Sequence, residues 1–142
     1  MMKSTSWLVF GMLAWSVACP VQAGEITATS KLLCALSEVH ECVAVTGCER
    51  VRPQEIGLHT SFISVDLQKR EIRAKGTEDI TVADKRFEVE DKFVLAGAEV
   101  DDWVDGSAVG YSLTISRDTG DMVLLSGGGH VSFVVFGACT IP

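Results

Sequence analysis

The chain has 142 residues, a formal charge of −7 and 47% hydrophobic residues. That acidity argues against a nucleic-acid partner, whose phosphates demand clustered lysine and arginine, and against anionic lipid surfaces. It permits a basic partner, and it also serves plain solubility.

The first residues read as a targeting segment. Lys3 precedes an uncharged, mostly apolar stretch from Trp7 to Val17, and Pro20 and Gln22 close it short of the roughly 20 residues a spanning helix needs. Val21-Gln22-Ala23 before Gly24 puts small residues where a signal peptidase reads. Residues 1–23 are therefore expected to form a signal peptide with a short helix, and residues 24–142 one mature domain, periplasmic or secreted. The competing reading is a lipoprotein: Ser16-Val17-Ala18-Cys19 would be the lipobox and Cys19 the acylated residue, although Ser16 stands where such boxes usually carry Leu. Past the cut, eleven basic and nineteen acidic residues give a formal charge of −8, and no second apolar run of spanning length follows. No membrane span is expected.

Residues 24–31 are small and polar, a leader or a frayed strand. From Leu33 a period of two sets Leu33, Ala35, Val39, Val43 and Val45 on one face against Cys34, Glu38, His40 and Cys42. This predicts a half-buried strand, although Ser30 as N-cap allows a short helix over 31–36. Thr46-Gly47 predicts a turn, and Pro53 with Gly57 frames a single helical or 3₁₀ turn.

Short β patterns then follow one another. Residues 62–67 point Ile63, Val65 and Leu67 inward, and 71–75 return with Ile72 and Ala74 inward. Residues 80–83 and 87–89 flank Asp84-Lys85-Arg86; residues 93–96 come next, then an acid-rich loop over 97–106. Residues 109–116 alternate, with Val109, Tyr111, Leu113 and Ile115 inward, before the turn Arg117-Asp118-Thr119-Gly120. Residues 122–125 pair back, Gly127-Gly128-Gly129 turns the chain, and 131–138 form the last strand. Such regular turn signals predict an all-β fold, a single antiparallel meander closing into a small barrel or a sandwich.

Cys34, Cys42, Cys48 and Cys139 are expected as two disulfides, because export places thiols where they oxidise. Four cysteines allow three pairings, between which sequence does not choose. The favoured one joins Cys42 to Cys48 across a short turn and Cys34 to Cys139 between the first and last strands. A metal site of Cys34, Cys42, Cys48 and His40 is disfavoured by the lack of a CxxC pair. Asp101, Asp105 and Gly106 match part of a calcium-loop template, but Trp103 stands where an oxygen ligand is needed and Ser112 where a bidentate Glu is needed. No metal and no cofactor is expected. Trp103, the only tryptophan beyond the cut, is either a binding anchor or a cover for an open sheet end. His40, His59 and His130 are scattered, and Ser126 beside three glycines lacks a nucleophile elbow. Glu88 and Glu90 share one face of a strand, which alternation with Phe87 and Val89 makes the solvent face. No catalytic residue is assigned.

Cys34, Glu41-Cys42, the run Gly47-Cys48-Glu49-Arg50-Val51, Ser112-Leu113-Thr114-Ile115 before Thr119-Gly120, and the ending FVVFGACT over Phe133 to Thr140 resemble a family of small exported proteobacterial proteins of unknown function. The resemblance covers nearly the whole mature chain and implies an exported domain with paired cysteines. It carries no active site to transfer. The expected function is a non-catalytic, monomeric β domain that binds a small ligand or a protein partner in the periplasm. The alternative, suggested by export, size, disulfides and acidity, is an inhibitor of a basic, lysozyme-like envelope hydrolase.

Overall fold

An alternating strand has one apolar face that must be covered, and a long antiparallel sheet can cover its own by curling. The computed structural model describes residues 24–58, 60–101 and 107–142. The expected signal segment with Cys19, and the stretch containing Trp103, lie outside the described residues. Ten strands follow in chain order: β1 (Lys31–Val43), β2 (Gly47–Val51), β3 (Phe62–Asp66), β4 (Glu71–Ala74), β5 (Thr81–Val82), β6 (Lys85–Val89), β7 (Lys92–Asp101), β8 (Ser107–Ser116), β9 (Asp121–Gly128) and β10 (Val131–Thr140). They form one antiparallel sheet in the order β5-β4-β3-β1-β10-β9-β8-β7-β6, with β2 added to β1, curled into a half-barrel. The all-β expectation holds, and the sandwich alternative gives way to a single sheet.

β1 is the axis of this arrangement. β10 pairs with it from Leu33↔Thr140 to Val43↔Val131, while β3 and β2 share its other edge, β3 on the first half and β2 on the second. A bulge divides it: Leu36 faces Gly137, Glu38 faces Phe136, and the extra residue Ser37 donates its hydroxyl to the Phe136 carbonyl at 3.1 Å. One inserted residue moves every later side chain to the opposite face. Leu32, Cys34 and Leu36 are therefore buried before the bulge and Val39 after it, whereas Leu33 is only half-buried and Ala35 is exposed. The single inward parity expected for Leu33, Ala35 and Val39 is corrected accordingly. Ser30 caps no helix. Its hydroxyl accepts the Thr27 N–H at 2.9 Å, in a turn that leads directly into β1.

The predicted 3₁₀ turn forms over Pro53–Ile56, with the Arg52 N–H donating to Glu55 Oε2 at 2.7 Å. The predicted turn at Gly120 also forms: its φ of 75° suits glycine, and an added Cβ would collide with the Cys139 carbonyl. Gly127 and Gly128 instead remain within β9, so the reversal falls on Gly129 and His130.

The strands on either side of Asp84 do not pair with each other. β5 and β6 are consecutive in sequence yet lie at opposite edges of the sheet, so Ala83 and Asp84 carry the chain across the seam of the half-barrel. Arginine joins the two sides. Arg70 Nη1 donates to the Asp84 carbonyl at 2.6 Å, and Arg86 Nη1 donates to the carbonyls of Leu67 at 2.9 Å and Ala28 at 3.0 Å. Edge carbonyls without a ladder partner need such donors. This reverses the parity expected of β6. Arg86 lies opposite buried Leu95 and Glu88 opposite buried Phe93, while Phe87 and Val89 are 50% and 57% exposed. Glu88 is therefore on the inner face, between Arg86 at 3.5 Å and Arg117 at 3.4 Å.

One end of the half-barrel is packed solid. Leu32, Val65, Leu67, Phe93, Leu95, Leu113, Ile115 and Met122 are at most 2% exposed. Ile26, from the leader, is buried against the same cluster, so this segment caps the core. The disulfides tie strand neighbours: Cys34 to Cys139 between β1 and β10, and Cys42 to Cys48 between β1 and β2. Two such bridges fit an oxidising, extracytoplasmic compartment. No helix among the described residues is long and apolar enough to cross a membrane.

The bridges differ in exposure and in loop length. Cys34 is fully buried and Cys139 is 7% exposed, whereas Cys48 is on the surface. Thiol exchange requires access to sulfur, so mild reductant should open Cys42–Cys48 first in the folded protein, as read by alkylation and peptide mapping. Replacing both Cys34 and Cys139 by Ala should lower unfolding stability in denaturant by about 2 to 5 kcal/mol, because that bridge closes the long loop.

Candidate functional site

The strands are longer than the packed core, and their inner faces continue beyond it. On β8, Leu113 and Ile115 fill the core while Val109 and Tyr111 lie past it; on β9, Met122 is core and Leu124 and Ser126 lie past it. The other end of the half-barrel is consequently hollow. Its cavity has a volume of about 410 Å³. Ile63, Ile72, Val109, Leu124, Phe133 and Val135 supply apolar walls, and Ile56 and Leu58 of the 3₁₀ segment add a further apolar edge. Two other hollows lie on the outer surface, over Gly127 and beside the Cys42–Cys48 bridge, where glycines leave the sheet bare. The interior cavity is the candidate site, since it alone of these is walled by the curled sheet.

Its polar groups gather on one side. Thr77, Asp79 and Thr81 come from the chain that leaves β4 and forms β5, Glu99 from β7 and Tyr111 from β8. The Thr81 hydroxyl donates to Glu99 Oε2 at 3.2 Å. Tyr111 sits directly across the ladder from Gly97, where an added Cβ would lie 2.6 Å from the phenol oxygen. Absence of a side chain there lets the ring lie over the strand. Burial, with help from the Glu99 and Asp84 carboxylates, raises the phenol above its ordinary value.

The residues singled out from sequence are not brought together here. The four cysteines are consumed in the disulfides, which removes the metal site with His40. His40 is on the outer face, 3.1 Å from Glu38 and edge-on to Phe136. His130 is in the β9–β10 turn, and Glu90 in the β6–β7 turn has a φ of 52°. Among the described residues, no three His, Cys, Asp or Glu side chains cluster as a metal site. His59 and Trp103 lie outside the described residues. Ser126 does line the cavity, as part of its wall. Glu99 and Tyr111 were missed as polar site groups. The signal for Glu99 was its parity: it continues the inward series Phe93, Leu95 and Gly97 on a strand that runs to Asp101, past the loop start expected at Gly97.

The chain has a single tyrosine, so its titration is directly observable. Ultraviolet absorbance should place Tyr111 ionisation above the ordinary value of about 10. A raised folded-state pKa means that the unfolded chain ionises first as pH climbs, so stability should fall through the alkaline range above that value. Gly97→Ala should displace the ring, return the titration toward the ordinary value and cost about 1 to 3 kcal/mol of stability.

No protein-family model, curated protein or solved structure matches this chain.

Proposed function

We propose that the chain is an exported, non-catalytic binding domain, acting as a monomer in the periplasm or outside the cell, that holds a small, largely apolar molecule in the hollow end of its half-barrel. The cavity of about 410 Å³ carries this reading, being of ligand size and walled by inward side chains of a rigid sheet. The two disulfides and the arginine-joined seam fix the walls before a ligand arrives, which limits the ordering cost of binding. Binding is favoured over turnover because the two carboxylates of the lining, Asp79 and Glu99, are exposed at the mouth, which suits contact with a ligand's polar end better than chemistry that needs a water-excluded site. The resemblance to small exported proteobacterial proteins with paired cysteines agrees with the proposed compartment. Nothing among the described residues favours the hydrolase-inhibitor alternative over this reading.

A neutral eight-carbon alcohol, n-octanol, is a suitable probe. Calorimetric or chemical-shift titration should show saturable binding, with shifts confined to the cavity walls. Ala74→Phe, which adds volume at the wall, should weaken that binding at least about tenfold while leaving the far-ultraviolet circular dichroism unchanged. Shifts spread over the outer face, or binding unaffected by Ala74→Phe, would defeat the proposal.

A further inference from the structure

We infer that the molecule held in this cavity carries a cationic group, of ammonium or guanidinium type, at one end of an apolar body, and that Glu99 and Asp79 recognise it. The inference rests on the binding reading above and adds the chemistry of the ligand's polar end. Two independent features point to it: where the polar groups lie and what they lack.

The apolar walls run around β3, β4, β9 and β10, while the carboxylates, threonine hydroxyls and phenol fall together on the side formed by β5, β7 and β8. A ligand entering with its apolar body against the walls thus presents one end to a single polar strip. That strip is an acceptor surface of negative charge. Glu99 receives only the Thr81 hydroxyl among the described residues, and neither Asp79 nor Glu99 enters any ion pair among them. The contrast lies within the same sheet. Glu88, the inward-facing acid at the packed end, is held between Arg86 and Arg117. Asp79 and Glu99 are exposed and need no counter-charge to be tolerated; among the described residues the lining at the mouth holds these acids and no base, which leaves both carboxylates open to a ligand. An ammonium placed there gains charge-assisted hydrogen bonds from carboxylate oxygens, with the phenol and threonine hydroxyls available as further acceptors. A carboxylate ligand meets repulsion at the same strip.

The test compares three probes of one chain length, n-octylammonium, n-octanol and n-octanoate, titrated calorimetrically into the disulfide-bonded protein at low ionic strength. Because the acids are exposed and partly screened, the ammonium should bind about three- to tenfold more tightly than the alcohol, and the carboxylate more weakly than either. Added salt should narrow the gap. Glu99→Gln should bring ammonium binding down toward that of the alcohol measured in the same variant. Asp79→Asn, at a side chain with no hydrogen bond among the described residues, offers the same comparison if Glu99→Gln also disturbs alcohol binding. Equal affinity for ammonium and alcohol would overturn the cationic inference while leaving the cavity reading standing. An ammonium preference that survives both substitutions would overturn the assignment to these carboxylates, and no binding of any probe would remove the cavity reading itself.

Discussion

The structure depends on the pairing of β1 with β10. Strands from the two ends of the described chain lie side by side from Leu33↔Thr140 to Val43↔Val131, and the Cys34–Cys139 bridge makes that contact covalent. Contacts so remote in sequence carry a large closure entropy, which the bridge removes from the unfolded state. Once this pair exists, each remaining ladder except the β1–β3 one is a hairpin between consecutive strands. β3 to β5 grow outward on one side and β9 to β6 on the other, so the two arms of the sheet curl toward each other from a common centre.

That construction also explains why one end is packed and the other hollow. The arms meet at the seam near β6, where Arg86 and Arg70 hold carbonyls across the gap, and there large side chains such as Phe93, Leu95 and Met122 fill the space between them. Farther along the same strands the inward positions carry smaller or polar groups, among them Ala74, Gly97, Thr81 and Ser126. The curvature continues, and the filling does not. A hollow of ligand size results from a change in side-chain volume along strands of unbroken geometry, with no need for a separate element to build it.

Local patterns were legible in the sequence wherever one face of a strand is uniformly buried. The alternation of Val109, Tyr111, Leu113 and Ile115, the turn at Gly120 and the 3₁₀ turn after Arg52 each follow from neighbours a few residues away. Three features did not follow. The bulge at Ser37 depends on the fit of β1 against Gly137 and Phe136, residues about a hundred positions distant. The inward turn of Arg86 and Glu88 depends on carbonyls of Leu67 and Ala28 that become neighbours only once the sheet has curled, and it overrides the apolar pattern of Phe87 and Val89. The cavity depends on where the core stops, and Glu99 was hidden by the assumption that glycine and acid after Ala96 mark a loop. A strand reading continued by parity through Gly97 finds it.

The Cys34–Cys139 bridge has a topological consequence as well. It converts residues 34–139 into a covalent ring that contains every strand of the sheet except the ends of β1 and β10. A single peptide cleavage within that ring, in any of its turns, opens the ring without dividing the molecule: both fragments stay joined through sulfur and through a ladder of ten pairings. The segments outside the ring emerge side by side at the packed end, Gly24 next to Ile141 and away from the mouth. A protease would therefore have to cut twice, or act with a reductant, before any part of the cavity wall could be carried off.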